Sequence, residues 1–327
     1  MEKEKIFVLV GPTASGKTAA AIGVAERINN VLKRNAVEIV SADSIQIYRG
    51  LDIGSAKPNA DEMNGIPHHL LDFVDYSDPG FNVAMYRRTA TDVIHSINER
   101  NGIPIVVGGT GLYINSLVYP LNFSEAKPNF QRREVLAKLE EDSPGSLHRM
   151  LSEIDAEISA RLHPNDIKRI IRAIEVYEQT GHTLSDAGGD FSNERGKDIG
   201  FFPIMAGLKM DRKLLYERIE KRIDMMLESG LIKEVENLLA SNPNRSLPAL
   251  QGLGYKQLIM YLDGQYTLDE AINLIKRDTR RFAKRQISWF KRDKRIRWFD
   301  SEEYSSKDEL VDAIFEYYLN VGEIKNV

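Results

Sequence analysis

Cysteine is absent from all 327 residues of the sequence. That absence excludes disulfides, thiolate zinc sites, iron–sulfur clusters and a cysteine nucleophile, and the chain fits a reducing cytosol. Long apolar runs are also missing. The first, Ile6 to Val10, spans five residues and ends in Gly11-Pro12, too short for a signal peptide or a membrane span. A cytoplasmic protein with no membrane partner is the expectation. Tryptophan is scarce, at two residues, but 13 Tyr, 12 Phe and a hydrophobic content of 42% are enough to fill a core; a disordered chain is excluded. The length predicts two or three domains. No oligomerisation signal is visible, so a monomer is expected.

An excess of charge of one sign is lacking overall, because 44 Lys and Arg against 48 Asp and Glu leave a net −4. The balance conceals an asymmetry. Residues 276–297 hold eleven Lys or Arg against two Asp, a local +9 that leaves −13 on the rest. Such a segment is either a solvated helix surface or the docking face for a polyanion.

Hydrophobic periodicity sets out the architecture. Short β-branched runs at Ile6 to Val10, Val37 to Val40 and Pro104 to Val107 alternate with helical patterns at Thr18 to Ile28 and Phe81 to Asn98. Strands alternating with helices predict a parallel sheet covered on both faces. From about Phe123 the strand signal disappears. Helical stretches follow at Gln131 to Glu141, Ser146 to Glu153, Ile154 to Leu162 and Ile167 to Gln179, and a polar stretch then leads to Gly200. Phe201 to Leu208 reads as a strand, so the chain is expected to leave the sheet, build a helical insertion and return. The last third reads as helix at Arg212 to Ala240, Lys256 to Asp263, Leu268 to Arg292 and Glu309 to Leu319, with a strand at Arg295 to Phe299.

Gly11-Pro12-Thr13-Ala14-Ser15-Gly16-Lys17-Thr18 fits G-x-x-x-x-G-K-[ST] between a strand and a helix. In that setting backbone N–H groups form an anion nest at a helix N-terminus, Lys17 adds a point charge, and the Thr18 hydroxyl suits Mg²⁺. Two linked phosphates are the implied ligand. Asp43, just past the second strand, reads as metal support or as a general base facing the phosphates. The expected fold is therefore α/β: a P-loop NTPase-like parallel sheet with helices on both faces, residues 1–120 and 199–327, interrupted by an all-helical insertion, residues 121–198, and ending in a basic helical region.

Around Asp43 the motifs become distinctive. The P-loop, then Ser41-Ala42-Asp43-Ser44-Ile45-Gln46-Ile47-Tyr48, Asp52-Ile53-Gly54-Ser55-Ala56-Lys57-Pro58, Pro67-His68-His69-Leu70-Leu71-Asp72 and Val107-Gly108-Gly109-Thr110-Gly111-Leu112-Tyr113 resemble, in that order, the tRNA dimethylallyltransferase (tRNA isopentenyltransferase) family. The likeness continues through His163-Pro164-Asn165-Asp166 with Arg169 and Arg172, Leu250-Gln251-Gly252-Leu253-Gly254-Tyr255, and Ala283-Lys284-Arg285-Gln286. The lack of a Cys/His zinc finger matches the bacterial form.

The resemblance implies that the P-loop residues Gly11 to Thr18 hold the diphosphate of dimethylallyl diphosphate. It implies that Asp43 serves the exocyclic N6 of the adenosine immediately 3′ of the anticodon, with Ser44, Ile45 and Gln46 contacting the base. Thr110 matches the opposite wall of the reaction channel, and Arg218 an arginine that reaches the diphosphate. Arg222, one turn further on, is the weaker candidate. RNA contacts are implied for Lys168, Arg169, Arg172, Gln251, Gly252, Tyr255, Lys284 and Arg285, so that the +9 segment becomes part of a tRNA surface. His68 and His69 are expected to be structural, since no metal-ligand spacing accompanies them. Two rivals share the P-loop and Asp43: a nucleotide or metabolite kinase, and an adenylate isopentenyltransferase. Neither needs the helical insertion or the basic segment.

Overall fold

The computed structural model describes residues 3–121, 126, 128–186 and 200–322. The strands are β1 (Glu4–Val10), β2 (Val37–Ser41), β3 (His68–His69), β4 (Ile103–Gly108), β5 (Phe201–Lys209) and β6 (Arg297–Asp300). Helices are α1 (Lys17–Leu32), α2 (Ala60–Met63), α3 (Val83–Glu99), α4 (Gly111–Val118), α5 (Phe130–Asp142), α6 (Ser146–Ile154), α7 (Ala156–Arg161), α8 (Ile167–Thr180), α9 (Arg212–Glu228), α10 (Leu231–Leu239), α11 (Tyr255–Leu262), α12 (Leu268–Phe290) and α13 (Lys307–Gly322). No helix of the described residues is long and apolar enough to cross a membrane.

The strands form one parallel sheet in the order β3-β2-β4-β1-β5-β6. A parallel sheet must be covered on both faces, so its central strand should read as a continuous apolar run. β1 fits this, with Ile6 to Val10 all at most 3% exposed. Phe7 and Leu9 pack with Val24 and Ile28 of α1 and Ile314 of α13. A second apolar cluster joins Ile47 and Leu51 to Ile219 and Ile223 of α9, Val235 of α10, Leu258 of α11 and Ile275 of α12.

Two compact units emerge: Met1–Val118 with Gly200–Val327, and Tyr119–Ile199. The second holds α5 to α8 around Leu136, Leu147, Leu151, Ile170 and Ile174. The polar stretch ahead of Gly200 falls on 187–199, outside the described residues. Several expected boundaries differ. The helix expected over Arg212 to Ala240 breaks at Gly230, whose φ of 97° is open to glycine and costly for other residues. The final strand starts two residues late, at Arg297, after a turn closed by the Asp293 side chain. The two-residue β3 was not expected at all, because His68-His69 carries no strand pattern; β2 recruits it by its edge.

Glu175 organises the helical unit. It is 1% exposed and accepts from both Arg133 and Arg172, at 2.7 and 2.6 Å, and from the Asn129 amide. Burial alone would push its carboxyl up, but the hydrogen bonds from Arg133, the Asn129 amide and Arg172 outweigh it and hold the group below the usual range. A depressed carboxylate pKa contributes stability above the unfolded value, which is lost as pH falls through the folded one. Glu175→Ala removes the shared acceptor of two partly exposed guanidinium groups and should cost about 1–3 kcal/mol. Denaturant unfolding checks the size, and faster amide exchange confined to α5 and α8 checks the place.

Candidate functional site

Parallel strands place ligand sites beyond their carboxyl ends, in the crevice where the strand order switches direction. Here β1, β4 and β2 lie side by side, with Val10 opposite Gly108 and Val107 opposite Ser41. Their carboxyl ends therefore deliver the P-loop, the Gly109-Thr110 turn and Asp43 to one edge of the sheet. Gly108 permits the closeness: a Cβ there would lie 2.1 Å from the Ala42 carbonyl oxygen.

In the P-loop, Gly16 has φ 91° at the α1 N-cap, and Lys17 donates to the Pro12 carbonyl at 2.7 Å. Burial lowers the Lys17 pKa to about 8; Asp43 opposes the shift and Arg222 reinforces it. A desolvated ammonium above a nest of backbone donors is a site prepared for an anion. The Ser15 hydroxyl is buried with no hydrogen-bond partner among the described residues, so a polar group is still owed to it.

Asp43 Oδ1 accepts from the Ile45 and Gln46 amides at 2.9 and 3.3 Å, which fixes its carboxylate and leaves Oδ2 without a partner among the described residues. The Thr110 hydroxyl accepts from the Ser44 amide at 3.0 Å and donates to the Ser44 hydroxyl at 3.2 Å. Below them Tyr86 and Tyr113 stack at 3.9 Å, and burial pushes both phenols up, so they stay neutral.

A cleft of about 670 Å³ opens over this edge. Thr13, Asp43, Ser44, Thr110 and Arg222 line it, with Ile219, Ile223, Met226 and Ile275 as an apolar wall and Lys256, Arg277, Arg281 and Arg285 as a basic one. Arg222 is thus drawn into the site. Burial lowers its pKa, with Asp43 and Glu62 opposing and Arg218 adding to the shift. Arg218 sits over the P-loop, its Nη2 3.6 Å from where a Cβ on Gly16 would be. The signal for the pair was their i, i+4 spacing on α9, which puts both on one face.

Three of the expected RNA contacts have side chains engaged within the protein. Tyr255 is fully buried, and its hydroxyl donates to Glu234 at 2.7 Å. Arg172 is turned inward onto Glu175 and the Ala126 carbonyl. The Gln46 amide donates to the Ser55 and Ala56 carbonyls, which holds a loop rather than leaving a free edge to read a base. By contrast Gln251, Lys168, Arg169, Lys284 and Arg285 are exposed, and Gly252 presents backbone at the cleft. On α12 much of the positive charge is met internally: Lys276 pairs with Asp224, Arg280 with Glu220, and Arg277 with Asp278. Lys284 has no charged partner among the described residues, and Arg285 lies over the Phe282 ring at 5.8 Å.

No role was read from the sequence for two residues, although Gln286 closes the Ala283-Lys284-Arg285-Gln286 motif. Glu234 accepts from the Asp52, Ile53 and Gly54 amides and fixes the loop lining the far side of the cleft. Gln286 bridges the P-loop and the Gly109 turn. Their signal was available, since each is a polar residue beside a buried helix stripe, at three from Leu231 and at three from Ala283. His68 and His69 behave as structural groups: His68 meets the Ile66 carbonyl at 2.8 Å and His69 meets Glu38 at 2.6 Å.

For a metal, no group of three or more His, Cys, Asp or Glu among the described residues is arranged to hold an ion. Thr18 and Asp43, the oxygen donors expected from the sequence, would leave most positions of an octahedral Mg²⁺ to substrate phosphates and water.

The IPP transferase family matches residues 46–293. A tRNA dimethylallyltransferase of Alkaliphilus oremlandii is 45% identical over 315 residues, covering 96% of this chain and 97% of that protein. One from Carboxydothermus hydrogenoformans is 48% identical over 302 residues, covering 91% and 92%. Among solved structures, the full-length tRNA isopentenylpyrophosphate transferase of Bacillus halodurans matches with a TM-score of 0.70 at 39% identity, covering 98% of this chain and 97% of that one. A eukaryotic dimethylallyltransferase acting on tRNA matches with a TM-score of 0.78 at 26% identity, covering 98% and 80%. With sequence and fold in agreement over nearly its whole length, the chain belongs to the IPP transferase family.

Proposed function

We propose that this protein is a tRNA dimethylallyltransferase: it transfers the dimethylallyl group of dimethylallyl diphosphate to the exocyclic N6 of the adenosine immediately 3′ of the anticodon, releasing diphosphate. The observation that carries the reading is that Thr13 and Ala14 of the P-loop, Asp43, and the cations Arg222, Lys256, Arg277, Arg281 and Arg285 line one cleft. The relatives named above support it.

In this reading the P-loop amides, Lys17, Ser15, Thr18 and Arg218 hold the diphosphate, with Arg222 between it and Asp43. Ile219, Ile223 and Met226 seat the five-carbon tail. N6 attacks the allylic carbon, the carbon–oxygen bond to the diphosphate breaks, and the N6 proton passes to Asp43 Oδ2. An exocyclic adenine amine is a poor nucleophile because its lone pair is delocalised into the ring, so in-line positioning and charge stabilisation on the leaving group carry the rate. Mg²⁺ bound beside Thr18 would offset charge on the diphosphate. Thr110 forms the opposite wall, its hydroxyl held on Ser44. The adenine must leave its stack to enter. Lys284 and Arg285, with Lys168 and Arg169 of the helical unit, bind the phosphates of the anticodon stem-loop. The protein acts as a monomer in the cytoplasm, where its RNA is found.

The direct test is transfer from labelled dimethylallyl diphosphate to unmodified anticodon stem-loop, with AMP as competing acceptor; label on AMP alone, or ATP-dependent phosphotransfer, overturns the reading. Asp43→Asn should lower single-turnover transfer by about 10²–10⁴ while RNA affinity stays within twofold or so. For Lys17 the direction of pH dependence follows from its lowered pKa. The unfolded side chain keeps its proton to about 10.4, so between about 8 and there the folded state binds fewer protons and the free protein gains stability as pH rises. Ligand affinity moves the opposite way: KM for dimethylallyl diphosphate should be flat below pH 8 and rise above it by up to about tenfold per unit, as pH-resolved initial rates will reveal. Removing Lys284 and Arg285 together should flatten the log K against log salt slope by roughly 0.7 for each phosphate no longer neutralised and leave saturating turnover unchanged. A double variant with the wild-type slope would place the RNA grip elsewhere.

A further inference from the structure

Gln286 lies on the inner side of α12 between Ala283 and Phe290, and it is 6% exposed. Its amide is used at both ends. Oε1 accepts from the Thr13 backbone amide at 2.8 Å, and Nε2 donates to the Gly109 carbonyl at 2.9 Å. Thr13 follows β1 and Gly109 follows β4, and these strands are paired up to Val10 and Gly108. Beyond that rung the two chains diverge into loops. The side-chain amide stands where a peptide group would continue the ladder, accepting from one loop and donating to the other.

Each loop carries reactive groups on its next residues. Pro12, bonded to Thr13, accepts from Lys17. Thr110, bonded to Gly109, donates its amide to the Ala42 carbonyl and receives the Ser44 amide on its hydroxyl, so it brackets Asp43. A shift at either end of the Gln286 bridge therefore changes the spacing between the P-loop and the Asp43 loop. Gly109 is small for the same reason: a Cβ there would lie 2.2 Å from Gln286 Nε2.

We propose that Gln286 is a positioning residue of the diphosphate site, an amide strut that fixes the P-loop at Thr13 against the Gly109-Thr110 turn. It touches neither substrate. Its place on α12 puts it next to Arg285 and Lys284, whose side chains are exposed while its own is buried, so its effect is separable from RNA binding. The proposal rests on the reading of the P-loop as a diphosphate site.

The test compares wild type with Gln286→Met, which keeps the length of the side chain and removes both hydrogen bonds. Without the strut, the Kd of inorganic diphosphate and the KM for dimethylallyl diphosphate should rise roughly tenfold and kcat should fall. The affinity and salt slope for anticodon stem-loop RNA should stay at wild-type values. Gly109→Ala displaces the amide from the opposite side and should give the same split. The double variant should then be no worse than the more severe single change, because both remove one interaction. A residue that merely packs α12 would weaken RNA and diphosphate binding together, and its effect would add to that of Gly109→Ala; that pattern, or unchanged diphosphate binding in Gln286→Met, overturns the proposal. Should Gln286→Met not fold, Gly109→Ala decides by the same split. Wild-type protein that binds the RNA but neither diphosphate overturns the reading of the site itself, before any variant is compared.

Discussion

The close approach of Gly108 to the Ala42 carbonyl is the constraint on which the site depends. Two strands whose ends carried side chains at that point could not bring their following loops together, because the added atom would overlap the carbonyl. With hydrogen alone at that position, the Thr110 hydroxyl reaches both the amide and the hydroxyl of Ser44, and Asp43 is held beside them. The carboxylate is then fixed by its own loop amides, and its orientation needs nothing from the substrate. Such preorganisation lets a side chain meet a ligand without first rearranging.

Electrostatics at this edge are left incomplete by the fold. Lys17 and Arg222 lie near the Asp43 carboxylate, with Arg218 beside Arg222 and over the P-loop, and burial makes the charge of Lys17 and Arg222 costly. By contrast, buried charge is matched at Glu175, between two arginines, and at Lys57, between Asp52 and Asp72. A local excess of desolvated positive charge is destabilising in the free protein and favourable once an anion enters. The same contrast divides the basic helix. Cations up to Arg281 are met by acidic groups of α9 or of its own turn, whereas Lys284 is left to solvent. Counting charge along the segment therefore overstates the unpaired positive charge that the helix presents, which the ion pairs narrow to a few side chains.

Much of the fold is legible in the sequence because its signals are local. Continuous apolar runs mark the buried strands, the P-loop spacing places a turn between strand and helix, and the end of the strand pattern after Phe123 marks the helical unit. The break at Gly230 is written in the residue itself, but apolar periodicity continues on both sides and masks it. β3 carries no local signal, since two histidines become a strand only when β2 offers its edge.

Residue types at short, fixed spacings were enough to establish the class of fold, the phosphate loop, the candidate carboxylate and the family. Which side chains face the cleft was settled only by packing. It buried Tyr255 on Glu234, turned Arg172 onto Glu175, tied the Gln46 amide to its own loop, and joined Gln286 to two loops distant in the chain. The physical reason is that a polar side chain has the same identity whether it meets solvent, a ligand or a backbone group. Which of these it meets depends on unsatisfied donors and acceptors that only the packed chain brings within reach.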